Sequence, residues 1–282
     1  MTTRRLLAIL AHPDDETLGF GGALAKYAAE GVETFLVTAT RGEYGWFGAP
    51  EENPGPGELG RIRETELCRA AAILGVREVT ILDYIDGHLD QAAPAAVIAE
   101  LAGVIREIRP DVVVTFGQDG IYGHPDHIAI SQFATAAVLR AASPGNGPHH
   151  PGHEVSKLYY RAAGQEWLDA YEHAFGELVM HIDGVERRAP AWSEWVMTTR
   201  IDAAEHAERV WAAVQEHRSQ LPGYEKLLAL PPDAHRHYWG TQDYYRVMSQ
   251  VNGGRALERD LFEGIVPAAS HAARSTAWSQ VA

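Results

Sequence analysis

The sequence predicts an α/β protein whose mainly parallel sheet is doubly wound, with helices on both faces. Apolar runs of strand length alternate with helical patterns of about 10 to 15 residues, as in right-handed β-α-β crossovers. The first run, residues 6–10, is apolar throughout, which is typical of a strand buried on both faces. Polar loops follow the first and fourth runs directly, at the sheet edge where open α/β proteins bind ligands.

The predicted elements follow in order along the chain. A first helix carries apolar residues at helical spacing from Phe20 to Ala28 and ends near Gly31. Further strands are predicted over residues 33–39, 79–82, 112–116, 158–160 and 195–201, and further helices around residues 67–74, 97–108 and 130–137. A capping box at Asp202 and Glu205 begins a last helix that runs to about His217.

The chain is expected to form a single domain over residues 1–282. It has 282 residues, of which 46% are hydrophobic and 22% charged, as in ordinary soluble proteins. No internal repeat or composition break divides it. Residues from about 1 to 160 would form a Rossmann-like core with the functional loops. Residues from about 161 to 282 would form a C-terminal layer that packs on the same sheet and contributes to the pocket.

The charge balance argues against two classes of partner. Lys and Arg number 24 against 38 Asp and Glu, giving a formal net charge of −14 that repels nucleic acid and anionic membrane surfaces. We expect neither partner, and no membrane span, because no apolar stretch reaches about 18 residues. The N-terminal apolar run is too short for a signal peptide, and Cys68 is the single cysteine, so a cytoplasmic location without disulfides is expected. Cys68 is predicted to be a small buried residue, and a homo-oligomer is left open.

The loop after the first strand carries the hexapeptide AHPDDE, residues 11–16. His12 and Asp15, separated by a tight turn, offer an imidazole nitrogen and a carboxylate oxygen to a cation such as zinc. Asp14 between them would remain free as a base. The alternative is that the acids only cap the next helix, but capping requires neither the histidine nor three successive acids. Glu16 has no expected role beyond favouring that helix start.

The loop after the fourth strand supplies the missing half of a metal site. Residues 118–127 contain His124 and His127 on either side of a Pro-Asp pair. One histidine can complete a three-ligand site while the other donates to an oxyanion or protonates a leaving amine. A bound cation lowers the pKa of water toward about 7, and Asp14 could take its proton. These parts are those of a metal-dependent amide hydrolase.

A dinucleotide site is disfavoured at the first loop. Gly19, Gly21 and Gly22 crowd the start of the first helix, but the GxGxxG fingerprint is absent. The three acids of the loop would repel a pyrophosphate where bare N–H groups are needed. We therefore expect no nicotinamide or flavin cofactor.

AHPDDE after the first strand and GHPDH after the fourth resemble the paired signatures of the LmbE-like (PIG-L) family. These are zinc-dependent deacetylases that remove N-acetyl groups from N-acetylglucosamine-type sugars. The resemblance covers roughly residues 4–142, with looser similarity near residues 217–220. It implies a hydrolase acting on an N-acetylglucosamine-containing small molecule or glycoconjugate. It also implies Zn²⁺ as the cofactor, with another divalent ion such as Fe²⁺ possible for these ligands.

The resemblance also assigns roles to individual residues. It implies metal ligation by His12, Asp15 and His127, with Asp14 as the general base. The remaining residues would act on the reaction or the substrate: His124 as acid or oxyanion stabiliser, Tyr122 as a second donor, Asp126 as the carboxylate that orients a histidine, and Arg63 and Asp86 as ligands of sugar hydroxyls.

Two alternative functions stay open. The first is a metal-dependent amidase acting on a thiol (mycothiol-like) conjugate or a longer N-acyl group. The second is a non-catalytic sugar- or metal-binding protein, which would be expected to lack the base or a ligand. Mycothiol-pathway members carry an Asp-Ser-Gly-Met segment after the third strand, whereas residues 86–89 here are Asp-Gly-His-Leu, which argues against a mycothiol assignment.

The roles of several other residues are undecided from sequence. Residues 41–57 form a long Gly- and Pro-rich segment with Tyr44, Trp46 and Phe47, which favours a binding loop or lid. Glu43 could enter the pocket. His149, His150 and His153 form either a soft-metal cluster or part of a surface loop. His235 and His237 either line the pocket or lie on the plain surface.

Overall fold

A computed structural model describes residues 3–145, 151–177, 179–182, 184–251, 254 and 256–266. Two sheets are present in this part of the chain, a seven-stranded main sheet and a two-stranded hairpin. The strands are β1 (Arg5–Leu10), β2 (Glu33–Thr40), β3 (Glu78–Tyr84), β4 (Val112–Phe116), β5 (Lys157–Ala162), β6 (Val179–Ile182), β7 (Val185–Arg188), β8 (Thr199–Asp202) and β9 (Thr241–Ser249).

The main sheet has the order β3-β2-β1-β4-β5-β9-β8, and β6 pairs with β7 in the hairpin. The first five strands in this order are parallel. Strand β9 pairs antiparallel with β5, and β8 pairs antiparallel with β9. The predicted mainly parallel sheet is confirmed. The chain winds outward from β1 on one side and from β4 on the other, so the boundary between these strands is a topological switch point.

Helices pack in two groups, as expected for a sheet covered on both faces. One group joins α4 (Pro94–Ile108) to α6 (Pro125–Ala141), and the other joins α2 (Gly21–Ala29), α3 (Pro56–Leu74) and α8 (Ala207–Val214). The helices are α1 (Asp15–Leu18), α2 (Gly21–Ala29), α3 (Pro56–Leu74), α4 (Pro94–Ile108), α5 (Gly120–Gly123), α6 (Pro125–Ala141), α7 (Gln165–Phe175), α8 (Ala207–Val214), α9 (Glu225–Leu228) and α10 (Pro232–Gly240). Short 3₁₀ turns cover Pro50–Glu52, Leu89–Gln91, Glu194–Val196, Ala204–His206 and Leu221–Tyr224. No helix among the described residues is long and apolar enough to cross a membrane.

Burial follows the predicted pattern in the core and departs from it at the periphery. Residues 6–10 of β1 are fully buried in the centre of the sheet. Cys68 is exposed, and its predicted burial was wrong. It lies about 100° around α3 from the buried Leu67, so it falls outside the face that Leu67 and Leu74 turn to the core.

The strand predicted over residues 195–201 was wrong in its first half. Glu194–Val196 forms a 3₁₀ turn and Trp195 is 87% exposed, while β8 begins only at Thr199. Strand structure is limited to the residues that find a backbone partner in β9. The helix predicted after Asp202 starts at Ala207, behind a 3₁₀ turn.

Candidate metal centre and active site

The two polar loops meet at the carboxyl ends of β1 and β4. These strands are parallel neighbours, so the residues that follow them emerge at one edge of the sheet. After β1, the chain turns into α1 through Asp14, whose carbonyl accepts hydrogen bonds from the N–H groups of Thr17 and Leu18. After β4, α6 begins at Pro125, which suits the first position of a helix because it has no N–H group.

Three donor atoms converge between these loops. Nε2 of His127 lies 3.2 Å from Nδ1 of His12 and 3.3 Å from Oδ1 of Asp15. Nδ1 of His12 lies 3.6 Å from Oδ2 of Asp15. All three side chains are buried, and their donor atoms lie within 4.8 Å of one another. Two imidazole nitrogens and a carboxylate at this spacing fit a small divalent cation.

Hydrogen bonds and nearby histidines stabilise the charged form of the Asp15 carboxylate. Its Oδ2 accepts hydrogen bonds from the backbone N–H groups of His12, at 2.7 Å, and Ala11, at 3.2 Å. Burial by itself would raise the pKa of Asp15, but the adjacent His127 and His12 hold this pKa well below its usual range. The Asp15 carboxylate is therefore anionic at neutral pH, as a metal ligand would need to be.

The carboxylate of Asp126 contacts the outer ring nitrogen of His12. Its Oδ2 lies 3.1 Å from His12 Nε2 and accepts the N–H of Gly87 at 2.7 Å, while Oδ1 accepts the N–H of Leu89 at 3.0 Å. A proton on His12 Nε2 leaves a lone pair on Nδ1, which faces the donor set. His12, His124 and Asp126 also lie close enough to form a second donor group, but the hydrogen bonds of Asp126 favour an orienting role.

His127 is oriented in the same way by the backbone. Its Nδ1 lies 3.3 Å from the carbonyl oxygen of Gly120, which directs the Nε2 lone pair to the donor set. Its ring stacks on Phe116, the last residue of β4, with centroids 3.9 Å apart and an interplanar angle of 3°. These contacts turn one ring nitrogen of each histidine toward the donor set, as metal ligation would require.

Asp14 lies beside this donor set in a left-handed backbone conformation with φ of 108°. Its Oδ2 accepts hydrogen bonds from the Tyr224 hydroxyl at 2.8 Å and the Arg63 guanidinium at 3.1 Å. Burial raises the pKa of Asp14, and Arg63 opposes this only in part. A raised carboxyl pKa suits a group that takes and returns a proton near neutral pH.

His124 lies over the same site as a neutral donor. Its ring centroid is 4.7 Å from those of both His12 and His127. Nδ1 accepts the N–H of Asp126 at 3.2 Å, so Nε2 carries the proton. Burial, with the neighbouring His127, lowers the pKa of His124 to about 3. The ring of Tyr122 is 6.0 Å from that of His124, and burial keeps the phenol protonated by raising its pKa well above the ordinary value.

Arg63 and Asp86 border the site from α3 and from the loop after β3. Arg63 is buried and donates to the carbonyl oxygens of Gly42, at 2.7 Å, and Pro13, besides Asp14. Asp86 Oδ1 lies 3.2 Å from His12 Nε2, and its Oδ2 accepts the N–H of Tyr44. Despite burial, His12 lowers the pKa of Asp86 to about 2. Sugar binding by Arg63 and Asp86 stays a prediction.

The structure adds neighbours of the candidate site that sequence reasoning missed. Glu16, expected only to favour a helix start, is fully buried and lies 2.6 Å from Nε2 of His217. Tyr224 contacts Asp14 from a 3₁₀ turn. The looser similarity near residues 217–220 was the signal for His217, whereas no sequence pattern pointed to Tyr224.

Residues 41–57 line the site with backbone groups and present aromatic side chains outward. The carbonyl of Gly45 accepts a hydrogen bond from Gln220, and Glu43 accepts one from the N–H of Asp86. Tyr44 and Phe47 are 63% and 56% exposed. The segment thus borders the candidate site through these contacts rather than through its aromatic side chains, and its role as a binding loop or lid stays a prediction.

The remaining histidines have contacts away from the donor set. His153 lies 2.7 Å from the carbonyl oxygen of Pro110, and His235 is buried 3.0 Å from that of Leu227. His237 is largely exposed, 3.8 Å from Glu166. His149 and His150 lie outside the described residues.

Fold and site together define a class of protein: a doubly wound α/β protein with a His-Asp-His donor set and an adjacent carboxylate at its switch point. Residues 7–138 match the PIG-L family, described as GlcNAc-PI de-N-acetylase. A 1D-myo-inositol 2-acetamido-2-deoxy-alpha-D-glucopyranoside deacetylase of Tsukamurella paurometabola is 36% identical, over 93% of this chain and 99% of its own length. The chain belongs to the PIG-L (LmbE-like) family.

Two further comparisons agree with this membership. A deacetylase of the same name from Thermobifida fusca is 37% identical over 78% of this chain and 85% of its own. The crystal structure of the conserved protein TT1542 from Thermus thermophilus is similar with a TM-score of 0.61 and 28% identity. That similarity covers 89% of this chain and 99% of the other.

Proposed function

We propose that this protein is a metal-dependent hydrolase that removes the acetyl group from an N-acetylglucosamine-containing small molecule. The observation that carries the proposal is the convergence of His12, Asp15 and His127 beside the Asp14 carboxylate. A ligand set without an adjacent base would fit a metal-binding protein as well as an enzyme. A base with a raised pKa next to the ligands is the arrangement needed for hydrolysis.

The chain's residues have separate roles in this reaction. A divalent cation bound by the three ligands would acidify a water molecule and polarise the amide carbonyl. Asp14 accepts a proton from the attacking water while the oxygen of that water forms a bond to the carbonyl carbon. His124 donates its Nε2 hydrogen to the developing oxyanion, with Tyr122 as a second donor. Asp14 then returns the proton to the nitrogen as the C–N bond breaks, releasing acetate and the amine.

His124 is better suited to oxyanion stabilisation than to acid catalysis. Its pKa, lowered to about 3 by burial and His127, leaves it neutral at pH 7. A neutral imidazole can donate a hydrogen bond but is a weak proton donor to an amine. The carboxylic acid formed when Asp14 takes up a proton is the stronger acid, and burial favours that protonated form.

We propose Zn²⁺ as the metal, with Fe²⁺ as the alternative. Two histidines and one carboxylate, with one position left for water, form a common catalytic zinc set, but the same donors bind other divalent ions. The test is to strip the metal with chelator and add back each ion. Restored turnover with Zn²⁺ would support the proposal, and restored turnover with Fe²⁺ alone would overturn it.

The substrate proposed first is an N-acetylglucosamine joined to inositol. Both curated relatives are named for a deacetylase of this compound and match most of this chain. Arg63 and Asp86 are proposed to contact its hydroxyl groups. The Asp-Gly-His-Leu sequence of residues 86–89 departs from the Asp-Ser-Gly-Met pattern, so other N-acetylglucosaminides belong in the same panel.

The deciding experiment is an amine-release assay over that panel with Asp14→Asn. Loss of the base should lower kcat by about 10² to 10⁴ while leaving the metal stoichiometry unchanged. Asp111→Asn is the matched control, because Asp111 accepts the N–H of Arg5 outside the site. Undiminished turnover by Asp14→Asn would overturn the proposed base.

The identity of the released group distinguishes the alternative amidase activity from deacetylation. An enzyme for thiol conjugates or longer N-acyl groups would release the longer acyl group or a cysteine conjugate faster than acetate. A non-catalytic binding protein would hold the metal and hydrolyse no amide in the panel. The presence of the base and all three ligands favours hydrolysis over that second alternative.

A further inference from the structure

Two side chains from residues 217–224 reach the candidate base from the far end of the chain. The Tyr224 hydroxyl donates a hydrogen bond to Oδ2 of Asp14 at 2.8 Å, across a sequence separation of 210 residues. Tyr224 is 6% exposed, so its hydroxyl is held by surrounding protein rather than by solvent. The phenol is protonated at neutral pH, since burial raises its pKa well above the ordinary value.

His217 reaches the backbone of Asp14 through Glu16. His217 Nε2 lies 2.6 Å from Oε1 of Glu16, and both side chains are fully buried. The other oxygen of Glu16, Oε2, accepts the backbone N–H of Asp14 at 2.9 Å. Each carboxylate oxygen of Glu16 contacts a different partner. The contact between Oε1 and His217 restricts rotation of the Glu16 carboxylate, and this keeps Oε2 in place to accept the backbone N–H of Asp14.

This turn needs such support. With φ of 108°, Asp14 has a backbone conformation that residues other than glycine rarely adopt. Conformations of this kind persist only where the surrounding structure holds them in place. The hydrogen bond from Asp14 N–H to Glu16 supplies one such restraint at the strained residue itself.

The carboxylate is restrained by the same segment. The hydrogen bonds from Tyr224 and Arg63 both end on Oδ2 of Asp14. Two donors on one oxygen restrict rotation about the Cβ–Cγ bond, and they leave Oδ1 as the oxygen available for a reacting water. A proton acceptor that keeps one direction needs less reorganisation in each turnover.

We propose that His217 and Tyr224 are positioning residues for the general base, Tyr224 through the Asp14 carboxylate and His217 through Glu16 and the Asp14 backbone. The inference rests on the proposed function, because it takes Asp14 as the base. It assigns to the C-terminal part of the chain a role in proton transfer, beyond closing one side of the pocket.

The first test is Tyr224→Phe, which removes only the hydroxyl. We expect kcat to fall by about tenfold or more, with KM changed by less than about threefold and the metal stoichiometry unchanged. Tyr27→Phe is the matched control, because the buried Tyr27 also donates to a carboxylate, Asp260, at 2.9 Å outside the site. The control should lose stability and keep kcat. Unchanged kcat in Tyr224→Phe would overturn the role of Tyr224.

The second test compares two replacements of His217. His217→Gln retains an N–H donor for Glu16 and should keep most of kcat, whereas His217→Leu should lose it at similar KM. His153→Gln controls for replacing a partly buried histidine away from the site. Equal kcat in the Gln and Leu variants, at wild-type level or equally reduced, would overturn the donor role of His217. If His217→Leu does not fold, loss of kcat in folded, metal-loaded His217→Gln overturns it instead.

A double-mutant cycle separates positioning from general weakening of the structure. In the Asp14→Asn background, adding Tyr224→Phe should change the residual rate by less than about twofold, because Tyr224 acts through the lost base. An equal fold-loss in both backgrounds would overturn the inference. Wild-type turnover by Asp14→Asn alone would instead remove the proposed function, so the two failures are distinguishable.

Discussion

Asp126 Oδ2 lies 3.1 Å from Nε2 of His12, a residue that turns its other ring nitrogen to the candidate metal centre. The two residues are 114 positions apart: His12 lies in the loop after β1, and Asp126 lies in the first turn of α6, which follows the neighbouring strand β4. The hydrogen bonds from Gly87 and Leu89 hold the same carboxylate from a third loop. The orientation of the His12 ring therefore depends on three segments of the chain.

Removing this carboxylate should weaken metal binding. Asp126→Ala frees the His12 ring to rotate and to change tautomer, so we expect a loss of about 10- to 100-fold in metal affinity. Titration of metal-free protein with Zn²⁺ in a competing chelator measures the change. Asp111→Asn should keep wild-type affinity, and an equally tight Asp126→Ala would contradict the orienting role.

Replacing His124 should affect turnover more than metal binding. If His124 donates a hydrogen bond to the oxyanion, His124→Ala should lower kcat by about 10² to 10³. Because burial and His127 lower its pKa to about 3, His124 stays neutral above pH 5. It should therefore contribute no step to the pH profile of kcat/KM between pH 5 and 8, where an unperturbed histidine titrates. A step in that range that disappears in His124→Ala would contradict the assignment.

Glu258 should make stability sensitive to acid. Its buried carboxylate accepts hydrogen bonds from Lys157, at 2.7 Å, and from Thr199 and Tyr159. Burial would raise the pKa of Glu258, but these donors lower it. Since the folded pKa lies below the unfolded value of about 4.3, the stabilisation is complete above that value and is lost as pH falls through the folded pKa.

The measurement is the unfolding free energy of Glu258→Gln between pH 7 and pH 3. At pH 7 the variant leaves the buried Lys157 without its anion, so we expect a loss of about 3 kcal/mol or more. Its stability should then fall less steeply with acid than that of the wild type. Glu30→Gln, which removes an exposed ion pair with Lys26, is the control and should change stability by about 0.5 kcal/mol or less. Parallel pH curves for wild type and Glu258→Gln would contradict the prediction.

Gly22 should not tolerate a methyl group. A Cβ at this position of α2 would lie 2.8 Å from the carbonyl oxygen of Trp239 and 2.9 Å from Cβ of Ala203. We expect Gly22→Ala to lower the unfolding free energy by about 1 to 3 kcal/mol through overpacking. A Cβ at Gly103 in α4 would have no atom within 4 Å. Gly103→Ala should therefore raise the unfolding free energy by up to about 1 kcal/mol. Thermal and denaturant unfolding of the pair would check the sign of each change.

The sequence was sufficient to predict the five neighbouring parallel strands of the main sheet and the two polar loops that meet at their carboxyl edge. A strand buried on both faces carries its pattern locally, as residues 6–10 and Val112–Phe116 do. Parallel neighbours bring their following loops to one edge, so the proximity of His12 and His127 could be inferred without a structure.

The contacts of His217 and Tyr224 could not be inferred in this way. Both residues follow α8 in irregular or 3₁₀ chain, and their partners Glu16 and Asp14 are more than 200 positions away. No period of 2 or 3.6 residues encodes such a pairing. Likewise, an apolar run such as the one at Trp195 does not reveal where the strand that will pair with it ends.

With φ of 108° at Asp14, the residue that suits the backbone at this position differs from the residue that suits the proposed reaction. Glycine or asparagine adopts this conformation more readily, so folding alone would favour either of them. Neither residue has a carboxylate that can carry a proton. A library of variants selected only for heat resistance should therefore drift away from aspartate at position 14, and the survivors should lose turnover while their metal site stays intact.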